Sequence, residues 1–184
     1  EFAMYELAKG IGYVLESDVP YDGSKEAETK TIDDEYAYLH TAYRLTEAET
    51  YAPSDRNAIK NGIMEHGALA VAYRHENRFY NEGEINNTYS YNCSYPEGSV
   101  INTNHAVTLV GWDDNYSKYN FIVKPSGNGA WLIKNSRGND WGDGGYFWLS
   151  YEDAGFNKEN NKVYAFDVKP AAEQERIYQY DGGM

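Results

Sequence analysis

Hydrophobic positions recur at helical spacing in one clear segment of the chain. Ile59, Ile63 and Met64 share one stripe, Ser54 stands before it as a candidate N-cap, and Gly67 follows it as a stop signal. This pattern predicts a helix between residues 54 and 67. A second helix is indicated at residues 2–9, where apolar residues alternate with good helix formers and Gly10 can cap the end.

The polar segments between these helices have a different pattern. Residues 12–23 contain Pro20 together with Ser, Asp and Gly, which is typical of an irregular connection. Residues 24–35 are dense in charge and offer nothing to a core.

After the helix at 54–67 the pattern favours strands. An Ala- and Val-rich run at 68–74 predicts one strand, and loops of Asn, Gly and Tyr are expected as far as residue 95. Four further strands are predicted at 105–112, 130–135, 145–151 and 162–168, separated by Gly/Asn/Asp turns. Residues 169–175 are expected to be a linker, and 177–181 the first strand of something absent. The pattern predicts an α+β unit with an antiparallel barrel or sheet.

Composition excludes several classes of function. The 184 residues are 41% hydrophobic and 16% aromatic, as in a globular protein, and carry a formal charge of -13. This charge opposes binding to nucleic acid or to anionic membranes. The apolar runs are too short to span a bilayer. Nineteen tyrosines suit a secreted protein that meets peptides or polysaccharides.

Cys93 is the only cysteine, so neither an intrachain disulfide nor a cysteine zinc site is possible. It lies in a turn-rich loop with no following helix to lower the thiol pKa, so we expect an idle thiol. The acidic clusters at 113–115 and 140–143 lack the length and closing Glu of an EF-hand. The histidines at 40, 66 and 75 show no metal-ligand spacing, and no cofactor or metal is expected.

Two segments, 104–112 and 131–147, have a more specific pattern. In the first, a polar residue and His105 open an apolar strand; in the second, a strand ends in Lys134, Asn135 and Ser136 before a Gly/Trp-rich turn that leads into Gly-Tyr-Phe. Together they resemble the histidine and asparagine motifs of the papain-like (C1) cysteine peptidases. The resemblance covers nearly all of residues 1–168.

This resemblance implies a papain-like α+β fold, truncated at its N-terminus and consisting mostly of the antiparallel barrel-like half. Residues 1–40 would be a remnant of the helical half, 41–168 the barrel-like half, and 169–184 a linker and the start of an absent domain. Residues 113–128 and the tail from 164 to 181 are most similar to bacterial surface members that a lectin-like domain follows. A secreted or cell-surface location is therefore expected.

The chemistry that the resemblance implies is attack by a thiolate. A thiol is a poor nucleophile until an imidazole takes its proton, and His105 matches that base. An amide oxygen that accepts the other ring N–H holds the imidazole without adding negative charge, and Asn135 matches that role. In an antiparallel sheet the two side chains can meet, and we expect a separation of roughly 2.6 to 3.2 Å.

The family also implies residues for substrate binding. By position these are Thr103, Asn104 and Ala106, with Ala106 leaving room for a bulky apolar side chain, and Trp141 as a wall of the cleft. The main departure is Arg137, where the family has a tryptophan over the His–Asn hydrogen bond. An arginine at this position leaves the bond more exposed or covers it with the planar guanidinium.

Two family motifs do not occur in these residues: the Cys-Gly-Ser-Cys-Trp-like nucleophile segment and the glutamine of the oxyanion hole. We expect both in sequence preceding Glu1, so that this missing segment is a partner, peptides are the substrate, and the chain alone does not hydrolyse them. The alternatives are a non-catalytic pseudopeptidase, which Arg137 keeps open, and a glycan- or protein-binding module, which the acidic, aromatic-rich composition keeps open.

Overall fold

The computed structural model describes residues 12–20, 40–96, 98–158 and 160–171. The helix and strands of this part, in chain order, are β1 (Tyr43–Tyr51), α1 (Arg56–His66), β2 (Leu69–Tyr73), β3 (Tyr80–Glu82), β4 (Tyr89–Tyr91), β5 (His105–Asp113), β6 (Ala130–Lys134), β7 (Tyr146–Ser150) and β8 (Val163–Pro170). Two single-turn 3₁₀ helices, Asn77–Phe79 and Lys118–Asn120, lie in the connections. No helix among the described residues is long and apolar enough to cross a membrane.

The chain divides into two compact units, one of residues 1–48 with 166–184 and one of residues 49–165. In the second unit the strand order is β8-β2-β5-β6-β7-β4-β3. Neighbouring strands are antiparallel except β4 and β7, which run parallel. The predicted α+β architecture with a largely antiparallel sheet is therefore confirmed.

Helix α1 forms where the apolar stripe predicted it. Ile59 and Ile63 are buried, and the helix packs on β2 and β5. The prediction that Met64 shares this stripe was wrong: Met64 is 67% exposed, because successive positions of a helix are about 100° apart and the position after Ile63 turns toward solvent. The predicted cap was wrong by one residue: the Asp55 carboxylate, not Ser54, accepts a hydrogen bond from the Ala58 N–H at 3.0 Å. A carboxylate at this position also suits the partial positive charge of the helix start.

The strands predicted at 68–74, 105–112, 130–135 and 145–151 are confirmed within one or two residues as β2, β5, β6 and β7. Strand β8 runs on to Pro170, two residues into the predicted linker. The reason is a tertiary partner: the Ala171 N–H donates to the Ala42 carbonyl at 2.9 Å. Such pairing extends a strand beyond its own propensity.

Three strands were not predicted. Strand β1 has a polar, glutamate-rich sequence. Strands β3 and β4 are each three residues long and lie in a segment whose composition predicts a loop. In β4, Ser90 and Tyr91 pair with Trp148 and Leu149 of β7. Short strands form because a neighbouring strand supplies hydrogen-bond partners for their backbone groups. The local sequence does not show whether such a neighbour is present. The predicted elements at 2–9, 24–35 and 177–181 lie outside the described residues.

The core lies between α1 and one face of the sheet. Alternate positions of β6 and β7 point into it, with Trp131, Ile133, Phe147 and Leu149 fully buried. A smaller cluster of Tyr116, Phe121 and Ala130 packs with Trp148. The strands that carry the candidate site are therefore held by close-packed aromatic side chains.

Asp153 is a buried carboxylate that joins two loops. Its Oδ2 accepts from the Cys93 N–H at 2.7 Å, and its Oδ1 from the Phe156 N–H at 2.8 Å. Burial raises the pKa of Asp153 from 3.8 to about 6, and the N–H donors offset only part of that effect. The folded protein therefore holds the Asp153 proton at a pH where the unfolded chain has released it.

We predict that Asp153 makes the free energy of unfolding fall as pH rises from about 4 to 6, because the cost of the buried charge appears in that window. The difference between 3.8 and about 6 corresponds to roughly 3 kcal/mol. Urea unfolding at several pH values measures this contribution. In Asp153→Asn the contribution should vanish; an unchanged pH dependence in that variant would contradict the prediction.

Candidate active site

His105 and Asn135 are brought together by the pairing of β5 with β6. His105 opens β5, and Asn135 follows Lys134, the last residue of β6. Thr108 pairs with Lys134, so one further step along the ladder places Asn135 opposite Val107. His105 lies two positions beyond Val107 on the same face, a diagonal neighbour of Asn135.

A register shift in this ladder decides which face Asn135 occupies. Gly111 pairs with Leu132 but Leu109 pairs with Ile133, so Val110 is an extra residue between them. Without that bulge Asn135 would stand opposite Thr108, on the other face of the sheet from His105, because side chains alternate along a strand. The bulge is therefore a condition for the His–Asn contact.

The two side chains form a hydrogen bond. His105 Nε2 and Asn135 Oδ1 are 2.9 Å apart, within the separation expected from the motifs. The same Asn135 oxygen accepts from the Ser136 backbone N–H at 2.9 Å. A backbone N–H only donates, so this second contact identifies the shared atom as the amide oxygen.

This geometry sets the protonation pattern of the imidazole. An amide oxygen cannot donate, so Nε2 of His105 must carry the hydrogen. In the neutral ring Nδ1 then keeps its lone pair and is the basic atom. His105 is half-buried and Asn135 is buried, which limits exchange of the hydrogen bond with water.

The turn after β6 holds the Asn135 backbone. The Asn135 N–H donates to the Gly145 carbonyl at 2.9 Å. Gly145 has a φ of +94°, and a Cβ there would lie 3.1 Å from the Gly138 oxygen. The positive φ strains any other residue at position 145, and the added Cβ would also crowd the Gly138 oxygen, so glycine suits this position of the turn.

His105 has aromatic neighbours that the sequence did not indicate. The Tyr73 ring lies edge-on to it at 5.8 Å between centroids, and the His75 ring is 6.0 Å away. Tyr73 is opposite His105 in the β2–β5 ladder. Only the strand register reveals this neighbourhood, because thirty residues separate the segments along the chain.

Asn104, predicted to bind substrate, uses its side chain within the protein. Its Oδ1 accepts from the His75 N–H at 2.7 Å, and its Nδ2 donates to the His75 carbonyl at 3.0 Å. Both polar ends of the amide are thus engaged, and a substrate contact through this side chain would have to displace them. The Asn104 backbone N–H donates to the Tyr73 carbonyl at 3.1 Å.

Arg137 and Trp141 lie in the turn that follows Asn135. The Arg137 guanidinium carbon is 5.9 Å from the centroid of the Trp141 ring, and Trp141 stacks on Tyr80 at 5.1 Å with an interplanar angle of 11°. Arg137 is exposed. The cation–π contact places the guanidinium of Arg137 on the second tryptophan of the motif.

A groove of about 540 Å³ borders Asn135. Its walls combine small apolar residues of β2 and β5 with the end of β6. Ala106 is the only predicted substrate residue among the lining residues, which are Ala68, Ala70, Ala106, Val107, Thr108, Val110, Lys134, Asn135 and Ser136. The groove is open to solvent and wide enough for an apolar side chain.

Cys93 is buried, and its sulfur accepts from the Gly155 N–H at 3.2 Å. Burial, followed by the neighbouring Asp153 carboxylate, raises the pKa of its thiol far above the usual range. A thiol in this state resists forming the thiolate that attacks a carbonyl. Its surroundings are those of a structural cysteine.

The acidic cluster at 113–115 forms a turn and an ion pair. Asp113 accepts from the Asn115 N–H at 2.8 Å, and Asp114 binds Lys60 at 2.6 Å and the Tyr151 hydroxyl at 2.9 Å. Within the described residues no group of three or more His, Cys, Asp or Glu side chains is placed to hold a metal ion.

Comparison with known sequences identifies relatives. The model of the papain family cysteine proteases matches residues 2–166. A viral cathepsin of Heliothis zea nuclear polyhedrosis virus is 30% identical over 146 residues, which are 78% of this chain and 32% of that protein. A probable cysteine protease, RD19D, of Arabidopsis thaliana is 38% identical over 101 residues, 54% of this chain and 24% of that one. The chain thus spans about a third or less of these two relatives.

Comparison with solved structures identifies proteins of the same kind. The cysteine protease and lectin-like domains of Cwp84, a surface layer associated protein of Clostridium difficile, match with a TM-score of 0.78 and 35% identity over 96% of this chain and 38% of theirs. Bromelain of Ananas comosus, at 18% identity and a TM-score of 0.55 over 89% of this chain and 66% of its own, shares the fold. The match over residues 2–166 and the observed fold together show that the chain belongs to the papain family of cysteine proteases.

Proposed function

We propose that this chain carries the histidine and asparagine of a Cys-His-Asn site that hydrolyses peptide bonds, with the nucleophilic thiol supplied from outside these 184 residues. The observation that supports it best is the hydrogen bond from His105 Nε2 to Asn135 Oδ1 at 2.9 Å. It leaves Nδ1 of His105 as the one basic atom of an oriented, half-buried ring.

In this mechanism Nδ1 takes the proton of the thiol, and the thiolate and imidazolium stabilise each other as an ion pair. The thiolate attacks the peptide carbonyl, and the imidazolium of His105 gives its proton to the leaving amine, which leaves a thioester. His105 then takes a proton from water as the hydroxide attacks the thioester carbonyl, the thiolate leaves and pairs again with the imidazolium, and the acid product departs. Asn135 keeps the ring oriented throughout by accepting the Nε2–H.

An external thiol is proposed because Cys93 is unsuited to the reaction. It is buried, it lies beside the Asp153 carboxylate, and both effects raise the pKa of its thiol. The groove that borders Asn135 has room for a partner segment, because the side chains of Ala68, Ala70 and Ala106 in its lining are small. Alone, the chain is expected to be inactive.

Substrate binding is proposed for the residues that flank His105 and for Trp141. Ala106 lines the groove and is exposed, so it leaves room for an apolar side chain. Thr103 and Asn104 would contribute through their backbone, since the Asn104 amide is engaged with His75. Trp141, stacked on Tyr80, offers a flat aromatic wall.

A location at a bacterial cell surface is proposed from the structural relative. Cwp84 is described as a surface layer associated protein, and its structure contains a lectin-like domain beside the protease. We also propose the division of the chain that the family resemblance implies. In it, residues 1–40 are a remnant of the helical half, residues 41–168 are the barrel-like half, and residues 169–184 are a linker and the start of a following domain.

The rival function is that of a pseudopeptidase that binds peptides or partners without cleaving them. Arg137 favours it, because the family tryptophan that covers the His–Asn hydrogen bond is missing and the exposed arginine lies over Trp141 instead. The two functions differ in one observable: a bound peptide is cleaved in the first and stays intact in the second.

We predict that a longer form, in which these residues are joined to a cysteine-bearing helical segment, cleaves a fluorogenic peptide with an apolar residue near the scissile bond. His105→Ala should lower kcat/KM by at least about 100-fold, since it removes the base. Thiol alkylation should abolish cleavage, and the chain alone should show none. A folded longer form with a free cysteine that binds the peptide without cleaving it would favour the pseudopeptidase.

We also predict that Asn135 selects the Nε2–H tautomer of His105. At a pH where the imidazole is neutral, ring-nitrogen chemical shifts should show Nε2 protonated. Asn135→Ala removes the acceptor and should shift the tautomer ratio about fivefold toward Nδ1–H. Ser136→Ala is the matched control, because Ser136 contacts Asn135 through its backbone N–H; equal tautomer ratios in both variants would contradict the orienting role.

A further inference from the structure

A second histidine lies beside His105. His75 follows β2 by two residues, and its ring centroid is 6.0 Å from that of His105. Between them in the sheet stands Tyr73, which pairs with His105 in the β2–β5 ladder and lies 5.8 Å from both rings. The proposed catalytic base thus has another titratable imidazole as a close neighbour.

The hydrogen bonds of His75 define its tautomer. Tyr73 Oη is 2.8 Å from Nδ1, and Asn77 Oδ1 is 3.2 Å from Nε2. Tyr73 is fully buried, and burial raises the pKa of its phenol far above the usual range, so the hydroxyl keeps its proton and donates it. Nδ1 of His75 is then an acceptor, and the Nε2–H donates to Asn77.

The surroundings of His75 are rigid. Asn104 binds both its N–H and its carbonyl, at 2.7 and 3.0 Å. The Tyr91 ring stacks on the imidazole at 5.4 Å with an interplanar angle of 22°. The Tyr91 hydroxyl donates to the Arg74 carbonyl at 2.6 Å and accepts from the Glu76 N–H at 3.0 Å, which fixes the backbone on both sides.

The charged and titratable groups that face His75 oppose a second positive charge. The phenols of Tyr73, Tyr80 and Tyr91 surround it and stay neutral, since burial raises the pKa of each. Burial lowers the pKa of His75; the contact with Asn77 offsets part of this effect, and the charges of Arg137 and His105 lower it further.

The carboxylate of the next residue, Glu76, offers His75 little compensation. Glu76 accepts from the Arg74 and Arg78 Nε atoms at 3.1 and 2.8 Å and from the Tyr95 hydroxyl. Its negative charge is therefore paired with the guanidinium groups of Arg74 and Arg78. In the described structure no contact joins Glu76 to the His75 ring.

We propose that His75 is a positioning residue for the proton of the site: Tyr73 holds it as a neutral acceptor, so that the positive charge that forms during the reaction develops on His105 and not on His75. The proposal rests on the proposed role of His105 as the base. Two imidazolium ions this close repel each other, so protonation of His75 would oppose the imidazolium that pairs with the thiolate. The Tyr73 hydroxyl opposes protonation of His75, because it stabilises only the form of His75 whose Nδ1 carries no hydrogen and can accept its hydrogen bond.

Heteronuclear NMR titration of both histidines in this chain tests the proposal. At high pH, the ring-nitrogen shifts of His75 should show Nδ1 bare and Nε2 protonated. Tyr73→Phe removes the donor and keeps the ring, so His75 should take up its proton at a pH higher by about half to one unit. His105→Gln should also raise that pH, because it removes the neighbouring positive charge.

Tyr80→Phe is the matched control. The Tyr80 ring lies 6.1 Å from that of His75, and its buried hydroxyl has no hydrogen-bond partner in the described part of the chain. Its removal should leave the His75 titration unchanged. The amide spectrum of each variant reports whether it folds, and Tyr73→Phe and His105→Gln test the donor and the charge separately.

Two results would overturn the proposal: an Nδ1–H tautomer of His75 in the unaltered chain, or a His75 titration that neither Tyr73→Phe nor His105→Gln changes. The titrations need no nucleophile, so their outcome is independent of cleavage. If the two histidines are coupled but the protein does not cleave peptides, the proposed peptidase function fails and the proposal for His75 stands. If the protein cleaves peptides but the histidines titrate independently, the proposal for His75 fails and the peptidase function stands.

Discussion

The pairing of β5 with β6 is the constraint on which the candidate site depends. The extra residue Val110 shifts the register of that ladder, and the shift turns Asn135 to the face that His105 occupies. The close packing of four buried side chains holds the strands in this register: Trp131, Ile133, Phe147 and Leu149. If a strand slipped by one residue, its buried side chains would turn away from the core to the opposite face of the sheet. The same packing that stabilises the sheet therefore orients the hydrogen bond between the imidazole and the amide.

Several polar groups near the site form hydrogen bonds that join distant segments. Asn104 joins the start of β5 to the segment after β2, and Asp153 joins the loop at Cys93 to the turn after β7. The one thiol of the chain is part of this structural network, and its burial takes it out of nucleophilic chemistry.

Membership of the papain family explains the architecture, while individual residues depart from the family pattern. Arg137 lies over Trp141, and the His–Asn hydrogen bond lies between a half-buried imidazole and a buried amide, with the Tyr73 ring edge-on to the imidazole. Tyr73, His75 and Tyr91 form an aromatic surround in which a second charge is costly. This surround gives the site an electrostatic character that the two motifs alone do not describe.

The sequence by itself determined the α+β class, helix α1, the strands that carry the motifs, and His105 and Asn135 as the candidate catalytic pair. These features depend on local periodicity, turn residues and short motifs, which are properties of neighbouring positions along the chain. Tertiary structure alone decided the strands β1, β3 and β4, the bulge at Val110, and the position of His75 beside His105. Their physical origin is backbone pairing and side-chain packing between segments far apart in the chain, and no local pattern encodes which segments meet or in which register.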